Sequence, residues 1–474
     1  MDDILKLTLT ETVSALHERK LSPVDLMEAT LARIDEVNPD LNAIVARREA
    51  GVCMSDARAA KEALARGQGR PLEGVPIGVK DLEHAAGLIT TEGSLLFKDR
   101  VSDHDSVLVS RFKAAGAIVI GKTNVPEFGA PAFTRNPVYG TTRSPWNLKL
   151  TPGGSSGGSA AALASGALSL VTASDGGGSI RIPASFVGAF GLKPSYGRVP
   201  RGPAESWEYG DTGCWGPLTK TVEDAATWLD QVVGASVHDP NSLPHPGYRY
   251  ADRLKEPLPE KMHIGVVADL GYAVVQADVA KSVEEAAGDF SRMGHTLRRV
   301  IGGPPEMAAD WSHLGAFFSA ARLSQYIGTE QEQLIGHGYL AGIRGAWKMS
   351  PERWQKASEA RAALNAWCAT VFDRFDLIIT PTVPYDPFDA RGGYPQQIEG
   401  RPANVSGVGS FTIPFNLSWH PAATVRCGIS QKGLPIGLQI VGPRHRDDLV
   451  LQAALAFERV KPAHPKWPYT WEPL

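Results

Sequence analysis

The densest chemical signal lies between Thr151 and Pro200, where two serines sit inside glycine runs: TPGGSSGGSAAALASG, then TASDGGGSIRIPASFVGAFGLKPSYGRVP. Glycine costs conformational entropy wherever it is held, so such a cluster needs a reason. Either the backbone adopts left-handed or strained conformations, or main-chain N–H groups approach a ligand closely. In Asp175-Gly176-Gly177-Gly178-Ser179 three consecutive glycines let successive N–H groups converge on one point, as in a backbone oxyanion hole. Ser179 then stands where it could attack a carbonyl whose oxygen those amides hold. A serine hydroxyl needs a base to take its proton, and the residues of this segment leave the identity of that base open. A flexible linker is the bland alternative. It is opposed by a helix over Ser159 to Ala164, stopped by Gly166, and a buried strand over Leu170 to Ser174 between the two runs.

Two further motif matches lack the context they require. Gly153-Gly154-Ser155-Ser156-Gly157 satisfies the G-x-S-x-G nucleophile elbow, which should follow a strand. Here it follows NLKLTP, and proline argues against a central strand. The elbow also needs a downstream acid and histidine, and neither His420 nor His445 has a distinctive setting. Gly116-Ala-Ile-Val-Ile-Gly121-Lys122-Thr123 satisfies the P-loop pattern literally, but its middle is a buried strand where a phosphate-cradling loop should be.

The elements that must position these residues alternate in type. A Thr8-x-x-Glu11 capping box and Ser22-Pro23 open two helices, the second with Met27, Leu31 and Ile34 on one face. Buried strands are expected at Val75 to Lys80, Ala117 to Ile120, Leu170 to Ser174, Ile264 to Val267, Leu377 to Thr380 and Leu438 to Val441. A helix carrying Val279, Val283, Ala286 and Phe290 ends at Gly294. Strands alternating with helices indicate an α/β fold with a sheet covered on both faces. The Pro-, His- and Gly-rich stretch from Ser236 to Pro259 reads as a surface seam.

Composition narrows the class. The chain has 474 residues, a net charge of −3 and no basic cluster, which excludes an electrostatic nucleic-acid binder. Cys53, Cys214, Cys368 and Cys427 are dispersed without a C-x-x-C pair, which argues against a disulfide framework or a zinc site and fits a reducing compartment. The start lacks the pattern of a signal peptide, and no apolar run is long enough to span a bilayer. A cytoplasmic globular enzyme is the expectation.

The chain resembles the amidase signature enzymes over nearly its whole length. The resemblance rests on eight blocks in the family's order: GVPIGVKD (Gly74 to Asp81), GKTNVPEFG (Gly121 to Gly129), PGGSSGGSAAA (Pro152 to Ala162), DGGGSIRIPA (Asp175 to Ala184), GLKPSYGRVP (Gly191 to Pro200), GPLTKTVEDAA (Gly216 to Ala226), DLIITPT (Asp376 to Thr382) and GLPIGLQIVG (Gly433 to Gly442). It implies a single α/β/α sandwich, a large mixed, twisted β-sheet with helices on both faces. In that domain residues 1–65 supply N-terminal helices, 66–235 the signature core, and 236–474 complete the sheet and the substrate pocket. It implies Lys80 as base, Ser155 as relay and Ser179 as nucleophile, with a cis peptide at Gly154–Ser155. The backbone amides of Gly176, Gly177, Gly178 and Ser179 would hold the oxyanion, and Asp175 and Arg181 would form a structural ion pair around the turn. No metal or organic cofactor is implied. Lysine in water titrates near 10.4, leaving about 0.1% neutral near pH 7.5. A base role for Lys80 therefore requires a buried site, which the apolar approach Val75-Pro76-Ile77-Gly78-Val79 would provide.

The resemblance also implies that the segment after GKTN walls the acyl pocket, here Phe128, Gly129 and Ala130. Trp207, Tyr209 and Trp215 after GRVP, and Phe317, Phe318 and Tyr326 in a variable region, are further candidates to line an apolar pocket. Together they point to aryl or hydrophobic amides, with carbamates or esters as side substrates. The expected partner is a small-molecule amide, with no nucleic acid and no membrane, and a homodimer is allowed. The competing reading is the glutamine-using subunit of a tRNA-dependent amidotransferase, which shares the triad. Its motifs usually read DEFAMG and GGSIRQPA, where this chain has Pro126-Glu127-Phe128-Gly129 and Ile182 in place of the glutamine. A non-catalytic binding protein would have lost a triad member, and all three are present.

Overall fold

The computed structural model describes residues 2–202 and 210–462; Trp207 and Tyr209 lie outside them. Seven strands form one large mixed sheet, in the spatial order Leu218–Thr219, Phe190–Lys193, Ala422–Ile429, Pro435–Val441, Leu377–Pro381, His263–Val266, Thr296–Arg299. The last three run parallel to one another and the other pairings are antiparallel. A four-stranded sheet, Ile44–Arg47, Ile118–Thr123, Pro76–Lys80, Leu170–Val171, lies with its Leu170–Val171 edge against Leu218–Thr219. Among the described residues no helix is long and apolar enough to cross a membrane.

Side-chain alternation along the strands builds two covered faces. In Pro435–Val441, Ile436, Leu438 and Ile440 enter the largest core with Val279, Val283, Ala286 and Phe290 of the helix Ala277–Arg292 and with Asp447–Val460. The alternate positions, Gly437 and Gln439, face the helix Arg181–Val187: a side chain at Gly437 would strike Ser185, and Gln439 accepts a hydrogen bond from Arg181. The same alternation sorts Pro76–Lys80. Ile77 and Val79 join that core, so Gly78 and Lys80 face the opposite side, where the helix Gly157–Ala164 lies. That helix is fully buried and, apart from Leu163, made of small residues. A side chain at Gly158 would collide with the backbone of Asn124 and Ala43.

The expected caps are present. Thr8 and Glu11 close a capping box, and Ser22 caps the helix Pro23–Leu41. The strand expected at Ala117 to Ile120 runs on to Thr123 through a bulge, and the one expected at Leu438 to Val441 begins at Pro435. The segment Leu170 to Ser174 is not one strand. Leu170–Val171 pairs with Ile77 and Gly78, whereas Ser174–Asp175 leaves to pair with Cys214–Trp215. Thr172 makes the break, because its hydroxyl accepts the Lys80 N–H at 2.8 Å. The stretch from Ser236 to Pro259 has little regular structure beyond the short helix Tyr250–Arg253, but the Tyr250 side chain is core, not surface.

Candidate active site

Lys80 ends its strand with no exposure to solvent. Its Nζ lies 2.9 Å from Ser155 Oγ, 2.8 Å from Ser156 Oγ, 2.9 Å from Ser174 Oγ and 3.2 Å from the Ser174 carbonyl oxygen. An ammonium has three donors and no acceptor. An amine surrounded by three hydroxyls can instead donate to two oxygens and accept a proton from a third. Ser156 and Ser174 were not singled out from the sequence, although both stand in the glycine-rich blocks. Ser156 Oγ also donates to the Ser174 carbonyl at 3.3 Å, whereas Ser155 Oγ has no second side-chain or backbone partner among the described residues. The Gly154–Ser155 peptide is cis, and Ser156 N–H donates to the Ser179 carbonyl at 3.3 Å, tying the two serine loops together.

The turn before Ser179 is organised by Asp175. Its carboxylate accepts from the N–H groups of Gly178 (2.7 Å), Ile180 (3.1 Å) and Arg181 (3.3 Å). The Arg181 guanidinium adds Nε at 3.0 Å and Nη2 at 2.9 Å, and Asn416 Nδ2 adds a bond at 2.9 Å. Both members of the pair are fully buried. Burial by itself would raise the Asp175 pKa, but the adjoining guanidinium and these donors overcome it and hold the carboxyl well below its usual range. This is the ion pair expected around the turn. Gln439 extends it: its side-chain oxygen accepts from Arg181 Nη1 at 2.7 Å and its amide nitrogen donates to Thr380 and to the Phe411 carbonyl.

Of the four amides expected around the oxyanion, one already has a partner within the protein. Gly178 N–H is committed to Asp175, which leaves the amides of Gly176, Gly177 and Ser179 without a protein acceptor among the described residues. The carbonyls of this turn are held from the other side. Trp311 Nε1 donates to the Gly176 oxygen and Thr412 Oγ1 to the Gly177 oxygen, each at 2.7 Å. Neither Trp311 nor Thr412 carries a local signal in the sequence. Gln439 does, as a polar residue inside a buried apolar strand.

Ser179 is half-buried and opens onto a cavity of about 660 Å³. Gly129, Ala130, Ile182, Trp311, Val408 and Ile413 are among its walls, and no described lining residue is Asp, Glu, Lys or Arg. A second chamber of about 740 Å³ shares Ala130, Pro131, Trp311 and Ser312 with it. Of the expected pocket residues, Gly129 and Ala130 line the cavity. Phe128 does not: fully buried, with φ of 51°, it packs against Tyr339 (4.6 Å between ring centroids) and Phe97. Tyr326 packs edge-on against Phe97, with 5.9 Å between ring centroids. Trp215 pairs in register with Ser174 and donates its indole N–H to Glu83, and so it braces the lysine site rather than the pocket. Phe317 is exposed and leans on Phe318 and Trp354, and neither Phe317 nor Phe318 lines the cavity. Aromatic content near a motif did not distinguish pocket from core. His420 stacks on Phe372 at 4.8 Å and is buried, with its pKa pushed down to about 3 by burial; it takes no part in a triad with Ser155.

A model of the Amidase family matches residues 25–451. The chain belongs to the amidase signature family. It is an amide-hydrolysing enzyme of that family, as the eight blocks imply. Among its relatives are an acylamidase of Rhodococcus erythropolis, 32% identical over 98% of this chain and 97% of that protein. A glutamyl-tRNA(Gln) amidotransferase subunit of Dehalococcoides mccartyi is 31% identical over 99% of this amidase and all of that protein. Among solved structures, a bacterial aryl acylamidase of the amidase signature family superposes with a TM-score of 0.91 at 29% identity, covering 99% of each chain.

Proposed function

We propose that this amidase is a free-standing hydrolase of neutral carboxylic amides with aryl or otherwise hydrophobic groups. It would act through an acyl-enzyme on Ser179, with Ser155 as relay and Lys80 as base. The observation that carries the reading is the cavity in front of Ser179, which has Ile182, Trp311, Val408 and Ile413 in its walls and no charged side chain among the described residues. Apolar walls favour an apolar acyl group, whereas a charged group moved from water into such a space without a counter-ion is strongly penalised.

In the proposed reaction Lys80, as the neutral amine, takes the Ser155 proton while Ser155 takes the Ser179 proton. Lys80 Nζ is buried among the hydroxyls of Ser155, Ser156 and Ser174, within direct proton-transfer reach of Ser155 Oγ. Ser179 Oγ bonds to the carbonyl carbon, and the developing oxyanion would be held by the amides not committed to Asp175, those of Gly176, Gly177 and Ser179. The C–N bond then breaks, the relay returns a proton to the leaving amine, and water hydrolyses the ester in the reverse sense.

The second reading, the glutamine-using subunit of an amidotransferase, is favoured by the relatives named as amidotransferase subunits, at 31% identity. It would bring glutamine, with its ammonium and carboxylate, to a cavity whose described lining residues offer neither charge an oppositely charged side chain. Purified protein alone is assayed with a chromogenic anilide and with glutamine, beside Lys80→Ala, Ser155→Ala and Ser179→Ala. Anilide turnover by the wild type, lost in Ser179→Ala, is expected. Glutamine turnover only, or turnover dependent on partner proteins and tRNA, would reverse the choice.

A further inference from the structure

We propose that Trp311 is a positioning and specificity-determining residue. Its indole N–H orients one oxyanion donor, and its ring divides the space before Ser179 into two chambers. The enzyme would then prefer secondary amides whose acyl group and N-substituent lie on opposite sides of the indole. This rests on the reading of the protein as an amide hydrolase acting through Ser179.

The first half follows from peptide geometry. The C=O and N–H of a trans peptide point in opposite directions. Trp311 Nε1 holds the Gly176 carbonyl at 2.7 Å, so the N–H of Gly177, in the same peptide plane, is turned away from the indole. The next peptide is held at both ends, by Thr412 on the Gly177 carbonyl and by Asp175 on the Gly178 N–H. Trp311 is therefore the side chain that orients the Gly177 donor. The ring also lies against Gly177, where an added Cβ would come within 2.5 Å of Cζ2 and 2.8 Å of Cε2.

The second half follows from the cavities. Trp311 lines both the 660 Å³ cavity that Ser179 and Gly177 face and the 740 Å³ chamber beyond it. Small residues of two helices border the outer chamber, Gly315, Ala316 and Ser319 of Ala308–Leu323 and Gly338 and Gly342 of His337–Ala346, and Glu127, Arg135 and Arg391 also line it. An amide whose carbonyl oxygen meets the Gly177 and Ser179 amides would keep its acyl group in the inner cavity. Its nitrogen substituent would then pass the indole edge into the outer chamber.

The test compares wild type, Trp311→Phe and Trp311→Ala on phenylacetamide, which has no N-substituent, and on its 4-nitroanilide. Trp311→Phe keeps an aromatic wall and loses the donor. It should lower kcat about tenfold on both substrates with KM little changed, a fraction of the loss seen when a whole oxyanion donor is removed. Trp311→Ala should show the same loss. In addition, the anilide-to-primary-amide ratio of kcat/KM should collapse by about tenfold, the value of one lost aromatic contact. Wild-type kcat in Trp311→Phe overturns the positioning role, and an unchanged ratio in Trp311→Ala overturns the partition. Either result, with the wild type active on both amides, leaves the proposed function standing while the inference falls. A wild type inactive toward both amides overturns the proposed function, and this inference with it.

Discussion

Asp175→Asn tests whether the nucleophile turn is built on a carboxylate. Six donors converge on Asp175 in two equal sets. Oδ1 receives Gly178 N, Arg181 Nη2 and Asn416 Nδ2, and Oδ2 receives Ile180 N, Arg181 N and Arg181 Nε. Whichever way an asparagine amide is turned, its NH2 group meets three donors and satisfies none. Arg181, fully buried, loses its counter-charge as well. Removing one partner of a buried pair costs about 3–5 kcal/mol, a large share of the roughly 5–15 kcal/mol that a folded protein has. The expected result is a clearly lower urea midpoint by tryptophan fluorescence. Because the freed Gly178 and Ser179 backbone no longer holds its position, kcat should fall about 100-fold, the cost of a misplacement near 1 Å. The pH dependence has a definite sign. A folded pKa held below the unfolded value of about 3.9 means that the stabilisation is present above that pH and is lost as pH falls through the folded pKa. The gap between wild type and variant should thus be flat from about pH 5 to 8 and narrow only in stronger acid. A variant with the wild-type midpoint would refute the buried-pair argument, and one that is destabilised but fully active would refute the link from this carboxylate to the oxyanion turn.

Three other outcomes are expected. Ser155→Ala should lower kcat by at least about 10³-fold, as removal of a triad member does, whereas Ser156→Ala, which removes one equally short contact to Lys80, should cost about tenfold; equal losses would contradict the relay assignment. Burial pushes the Glu83 carboxyl up to about 7 against the pull of Ser106 and the nearby lysines, so the folded state holds its proton longer than the unfolded one. That contribution is full at acid pH and is lost as pH rises through about 7, so the stability of Glu83→Gln should gain on that of wild type by up to ~3 kcal/mol at alkaline pH in urea titrations run across pH. Ala308→Asp places a carboxylate at the first residue of a helix, where the helix dipole accepts it, and on the wall of the inner cavity. KM for phenylacetamide should rise while KM for an analogue bearing an ammonium on its acyl group falls, and no change in that ratio would remove Ala308 from the substrate wall.

The sequence by itself determined the alternating α/β elements, the caps at Thr8 and Ser22, the glycine turn and, through eight ordered blocks, the family, and with the family the requirement that Lys80 be buried. These are local properties: the parity of a strand, the spacing of a capping box and the identities at a short motif are all readable within a few residues. Tertiary structure alone decided what surrounds them. Lys80 meets Ser174 because one strand pairing ends at Thr172 and Ser174 and Asp175 turn away to pair with Trp215 and Cys214. Gly178 turned out to be committed to Asp175, and Trp311 and Thr412 arrive at the Gly176 and Gly177 carbonyls from more than a hundred residues away. Phe128, Trp215 and Phe317 are as aromatic as Trp311, yet of these four only Trp311 reaches the cavity. Hydrophobic burial rewards an aromatic ring equally in core and in pocket. Which rings border empty space is therefore set by how distant helices pack, and no local pattern records that.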